Sequence, residues 1–319
     1  MEYLKKKAVE LCGISAPSGR EKNITKIISS ELRNMGYTVE ILPLGSVIAY
    51  RGERTGKTML SARVDTIGFM ATYIEDSFVS FALLGEAEVS SLPGLKVRFT
   101  NGAEGYIGAK KKNPETAQDL FIDFGSDASK LISLGDGAAV VSDTEIRDNI
   151  IYSSALNNRL CVSVLLDVAR QTKSEKVSFA FTTQSNLGSR GGMGAYGALE
   201  PKEAFDISLS SSGDLPGENG VNTCGSVNTG CGMTIKLTVG AASSDEELVE
   251  KVERCCDKSV RETIGTMGGD IRYFTSANGA KPSCAIGIPA RKYSDFAYSA
   301  SLEDAKTLRD TLLKIIEEA

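Results

Sequence analysis

Between Ile67 and Asp148 helical periodicity disappears from this chain, whereas on both sides of that stretch helix and strand patterns alternate. No other feature limits the fold as much, because alternating elements build an α/β sandwich and a run of short strands builds a barrel or small β-domain. The inner stretch is punctuated by Leu92-Pro93-Gly94, Gly102, Gly105, Gly108, Gly125 and Gly135-Asp136-Gly137, the turn chemistry of short strands. Ahead of it, two helices fill the first 35 residues. The second is expected to start at a capping box, Ser18-Gly19-Arg20-Glu21, to carry Ile24, Ile27, Ile28 and Leu32 on one face, and to close at Gly36. Residues 38–50 and 58–74 are β-rich.

After Asn157-Asn158 the pattern predicts a helix through Leu160, Val164, Leu165 and Val168, then a buried strand at 177–183. A helix at 191–199, strands at 204–209 and 233–239, and a final strand (284–288) and helix (302–316) follow. The helix near 244 is expected to open with a Ser244–Glu247 capping box and to turn Leu248, Val252 and Cys256 inward. The expected architecture is a three-layer α/β/α sandwich made of residues 1–66 and 149–319. A small β-barrel domain, expected to mediate oligomerisation, is inserted at 67–148.

The 319 residues are enough for both domains to bury a core. No apolar run reaches the ~20 residues that span a bilayer. The first seven residues, Met1 to Lys7, lead into an amphipathic pattern without a signal-peptide core, so a cytoplasmic location is expected. A net charge of −5 with no block of Lys or Arg argues against nucleic acid or an anionic membrane as partner. The seven cysteines form no C-x-x-C pair and are expected to be buried thiols.

The chain contains no histidine. That excludes Ser-His and Cys-His catalysis and His-ligated zinc, as far as this chain alone supplies them. The serines at 208 and 210–212 lack a recognisable lysine partner for activation. The glycine-rich run 188–194 lacks the Gly-Lys-Ser/Thr ending of a phosphate-binding loop and reads as a close helix-packing segment.

A set of ordered motifs carries a resemblance. Ser15-Ala16-Pro17-Ser18-Gly19, Gly45-Ser46-Val47, Val64-Asp65-Thr66-Ile67-Gly68, Asn157-Asn158-Arg159, Gln184-Ser185-Asn186, Gly213-Asp214-Leu215-Pro216-Gly217 and Ile288-Pro289-Ala290-Arg291 follow one another along nearly the whole chain. Together they resemble the glutamyl and deblocking aminopeptidases that assemble as tetrahedral particles. The resemblance implies a dinuclear metallo-exopeptidase fold and a homo-oligomer, either a dimer or a dodecamer. It also implies two zinc or cobalt ions held by two histidines and three carboxylates, with a glutamate as general base.

Carried over position by position, the resemblance puts the metal ligands on Arg63, Asn157, Asn186, Ser208 and Ser294, and the general base on Ser185. Asp65 and Arg159 are retained. Amide, hydroxyl and guanidinium groups are poor zinc ligands, and without metal neither an activated water nor a Lewis acid is supplied. No cofactor is therefore expected. Arg63 and Asp65 would share a face if both lay on one strand, and an ion pair between them is expected at the former metal position.

The expectation is a non-catalytic homologue. Its cleft, lined by Arg63, Asp65, Asn157, Arg159, Asn186, Ser208 and Ser294, would bind a peptide or another small polar ligand, or the chain would join active paralogues in a mixed oligomer. The alternative is a metal-dependent aminopeptidase with a non-standard site; Asp206 and Asp295 are the nearest carboxylates for an oxygen-only site.

Overall fold

The computed structural model describes residues 1–216, 227–265, 267–276 and 279–319. Gly217 of the resemblance motif and Cys224 lie outside these. Strands β1 (Thr38–Ile41), β2 (Val47–Tyr50) and β3 (Thr58–Arg63) open a large sheet. The chain then leaves it to build a closed six-stranded barrel from β4 (Gly68–Glu75), β5 (Phe78–Leu84), β6 (Lys96–Phe99), β7 (Glu104–Ala109), β8 (Leu120–Asp123) and β9 (Gly137–Val140). It returns through β10 (Glu145–Arg147) and β11 (Ile150–Ser153), which pair into the large sheet. The remaining strands are β12 (Val177–Thr182), β13 (Glu203–Ser211), β14 (Met233–Lys236), the short pair β15 (Thr238–Val239) and β16 (Ala242–Ser243), β17 (Ser259–Glu262), β18 (Ser283–Ser294) and β19 (Ala297–Ser301).

The main path of the large sheet runs β1-β2-β12-β3-β13-β18-β19-β11-β10. Its centre, β12-β3-β13-β18, is parallel, with Arg63 opposite Thr182 and Ser208 opposite Gly287. Such strands are covered on both faces, and the side chains divide accordingly. Ile48, Met59, Ala180 and Ala204 pack against helices α4 (Arg190–Leu199) and α6 (Ile271–Phe274). Val47, Leu60, Ala62, Phe179, Phe181 and Ile207 face the larger core shared with α1 (Glu2–Cys12), α2 (Lys22–Asn34), α3 (Leu156–Gln171), α5 (Glu246–Cys255) and α7 (Leu302–Glu318). The three layers follow directly from this alternation. The barrel has its own core around Phe69, Phe81, Val97, Phe99 and Ile122, and Phe296 from the β18–β19 hairpin packs into it. Among the described residues, no helix is long and apolar enough to cross a membrane.

Both expected capping boxes are absent. Helix α2 begins at Lys22 with Glu21 as its cap residue, and Ser18 is buried with its hydroxyl unpartnered. Glu21 Oε1 instead accepts from the backbone N–H groups of Gly19 and Gln184, which commits that carboxylate to the cleft wall. At α5 the cap is Asp245, whose side chain accepts from Leu248 N, while Ser244 Oγ donates to Lys236 O. A carboxylate one residue closer to the helix takes the capping role; at the other end the helix stops at Cys255, which is buried, and Cys256 follows in extended backbone and is half-buried.

Candidate functional site

The carboxyl ends of parallel strands are where open α/β sheets hold their ligands. Here β3 ends in Arg63, β12 runs into Gln184-Ser185-Asn186, and α3 begins beside Asn157, whose peptide bond to Asn158 is cis. These segments line a cleft of about 830 Å³ that also touches Gly269, Lys292 and Tyr298. Two glycines of the 188–194 run, Gly191 and Gly192, serve packing. A Cβ on Gly191 would lie 2.3 Å from Ser46 Oγ and 2.4 Å from the Thr183 carbonyl oxygen, and one on Gly192 would lie 2.5 Å from the Asp270 carboxylate.

Arg63 and Asp65 do not form the expected ion pair. Arg63 Nη2 donates to Asn157 Oδ1 at 2.7 Å, and Asp65 Oδ2 accepts from Asn186 N at 2.9 Å and from Asn186 Nδ2 at 2.8 Å. The same-face argument holds only within a strand, and β3 ends at Arg63. Arg63, Asn157 and Asn186 share the cleft wall, and Asp65 is buried behind Asn186. Ser185 also lines the cleft, and its hydroxyl donates to Asp270 Oδ1 at 3.1 Å.

Ser294 is not among the cleft-lining residues. Its Oγ accepts from Phe296 N at 3.1 Å and closes the turn between β18 and β19. Asp295, next to it, is held by Lys292 at 2.7 Å and by Glu88 N at 2.8 Å. Arg159 is fully buried, and none of its guanidinium nitrogens has a hydrogen-bond partner among the described residues. Burial pushes its pKa down to about 10, against the pull of Cys12, Asp65 and Glu21.

Ser208 brings in the residue that sequence reasoning missed. Lys236, wholly buried on β14, donates from Nζ to Ser208 Oγ, Leu209 O and Met267 O, each at 2.7 Å. As an ammonium donating all three protons, this lysine would have no lone pair with which to activate the serine. Burial pushes its pKa down, and Glu262 and Asp206 oppose that shift. Asp206, on the same strand as Ser208, accepts from Ile271 N. Burial raises Asp206, with the Asp270 charge adding to the rise; burial likewise raises Asp270, with Asp65 adding to it. A lone Lys in the pattern Met-Thr-Ile-Lys gives no sign of this, because its partners arrive from two other segments, β13 and the stretch at Met267.

Glu21 supplies a pH prediction. Burial, with Asp65 nearby, raises its pKa to about 7. A carboxyl group with a raised folded pKa contributes stability that is complete below its unfolded value and is lost as pH climbs through the folded value. The Glu21→Gln variant, which keeps an oxygen acceptor and loses the charge, should therefore melt higher than the parent at pH 8. The advantage should shrink to nothing by about pH 3.5, below the unfolded glutamate value of about 4.3. A melting-temperature difference that does not change with pH would contradict this assignment.

Among the described residues, no group of three or more His, Cys, Asp or Glu side chains is placed to hold a metal ion. A central parallel sheet with helices on both faces, a cleft at the strand ends, and a barrel inserted between β3 and β10 define the aminopeptidase-type sandwich with an inserted β-barrel. The family description M42 glutamyl aminopeptidase matches residues 45–310, and the chain belongs to that family.

A relative from Acetivibrio thermocellus named “Putative aminopeptidase” is 28% identical, with 95% of this chain and 96% of that protein covered. Among solved structures, aminopeptidase APDkam598 from Desulfurococcus kamchatkensis superposes with a TM-score of 0.90 at 24% identity, covering 100% of this chain and 95% of that one. The TET1 peptidase of Pyrococcus horikoshii, described as assembling into a tetrahedron or a large octahedral shell, gives 0.84 at 23% identity, with 99% and 98% covered.

Proposed function

We propose that this chain is a non-catalytic member of the M42 family, in which protein cations have taken the place of the metal ions and the former active-site cleft binds a peptide or another small polar ligand. The observation that carries the reading is the state of the positions matched to metal ligands. Arg63 bonds Asn157, and the Lys236 ammonium bonds Ser208, each at 2.7 Å. A dication placed there would meet two like charges, and its donors would be amide and hydroxyl oxygens, so these residues do not fit zinc or cobalt. Asp65, the carboxylate retained from the family pattern, is already bonded by Asn186.

The position matched to the general base holds Ser185, whose hydroxyl donates to Asp270. A serine hydroxyl is not a base for water, and the Asp270 carboxylate behind it also accepts from Thr182 Oγ1 at 2.6 Å. The assay that tests the reading is hydrolysis of aminoacyl-p-nitroanilides by the purified protein with added zinc or cobalt. The expected rate equals that of buffer with metal. A chelator-sensitive rate that disappears in Asp65→Ala would overturn the proposal in favour of a working peptidase.

The same reading includes homo-oligomerisation through the barrel, or mixing there with active paralogues. Exposed Tyr73, Phe78, Tyr106 and Leu134 on the barrel support an interface, as does the assembly of the Pyrococcus horikoshii relative.

A further inference from the structure

We infer that the cleft takes a ligand by its carboxylate, docked on Arg63, so that its polarity is the reverse of a site built from metal-binding carboxylates. The inference rests on the proposal that the cleft holds no metal. Arg63 lines the cleft and also a narrower cavity of about 40 Å³ behind it. Its one protein partner is the neutral Asn157 Oδ1, its Nε is buried without a partner, and no carboxylate lies within ion-pair distance of it among the described residues.

Most acids nearby have other partners: Asp65 Oδ2 is held by Asn186, Asp295 by Lys292 and Glu88 N, and the Glu88 carboxylate by Ser90 Oγ, while Asp65 Oδ1 is buried without a partner and Glu86 lines the cleft without an ion pair to Arg63. Arg63 therefore presents a guanidinium without an ion-pair partner to a cavity large enough for a short peptide, flanked by Asn157 and Asn186 and lined also by Arg272. A partly desolvated guanidinium without a counter-charge is a strong site for a carboxylate, which it binds through charge-assisted hydrogen bonds.

The test uses titration calorimetry of the intact protein with three probes: N-acetyl-alanyl-alanine, which has only a free carboxylate; alanyl-alanine amide, which has only a free amine; and inorganic phosphate. The expected result is binding of the acetylated peptide in preference to the other two. That binding should weaken about ten- to a hundredfold in Arg63→Gln, the scale of one lost hydrogen bond to a charged group, and should be partly kept in Arg63→Lys, with unchanged melting behaviour showing that both variants fold. Preferred binding of the amide, preferred binding of phosphate, or no binding of the acetylated peptide would each overturn the inference. An Arg63→Gln variant that binds the acetylated peptide as tightly as the parent would do the same. None of these results bears on the absence of metal, which is measured separately by ion content.

Discussion

Replacing Lys236 with methionine lowers the stability of the protein by about 3–5 kcal/mol, the scale expected when one partner of a buried charged network is removed. The side chain is fully buried, and its three bonds at 2.7 Å satisfy Ser208 Oγ and two backbone carbonyls together. Asp206 and Glu262 are its nearby acids, and Asp206 is raised by burial and by Asp270. Without the ammonium, two carbonyl oxygens lose a donor and the acids lose their counter-charge in a region closed to water. The loss should shrink when Asp206→Asn is added, because the second change removes one of the stranded charges, and a double-mutant cycle isolates that coupling. Urea denaturation gives the numbers. A loss below 1 kcal/mol, or strict additivity of the two changes, would mean that Lys236 does not hold the network together.

Gly191→Ala is expected to cost about 1–3 kcal/mol through overpacking, at the upper end of that range because one of the obstructing atoms is backbone. The new methyl would sit 2.4 Å from the Thr183 carbonyl oxygen and 2.3 and 2.6 Å from the hydroxyls of Ser46 and Thr183. Those groups are tied together, with Ser46 Oγ accepting from Thr183 N and Gly191 N donating to Thr183 O. Relief therefore requires α4 to move away from the end of β12, carrying the Ser185–Asn186 segment with it. Gly194→Ala is the control, since a Cβ there meets nothing within 4 Å. It should be neutral or slightly stabilising, because alanine is the better helix former. Equal effects at the two positions in thermal melts would show that α4 is not tightly packed.

The sandwich was legible in the sequence because its signals are local. Period-3.6 apolar spacing marks α3 from Leu160 to Val168, and continuous apolar runs mark β12 and β13 as strands buried on both faces. The close packing expected of the 188–194 segment is found at Gly191 and Gly192 but not at Gly194. The two capping boxes were not, because Glu21 and Ser244 are claimed by partners outside their helices, Gln184 for the first and Lys236 and Ala285 for the second, that outcompete the helix ends. The Arg63–Asp65 pairing failed for a related reason: it assumed a strand that in fact stops two residues before Asp65. Lys236 was invisible, since its role depends on segments 28 to 31 residues away in the chain, reaching Ser208 and Met267. What the absence of histidine excludes could be read at once; which charges take the place of the metals could only be read in three dimensions.

The central claim, that the site no longer takes metal, is tested most directly by elemental mass spectrometry of the untagged protein after incubation with zinc, cobalt or magnesium and removal of free ion. The account predicts a content near zero for all three. One or two tightly held ions per chain would contradict it.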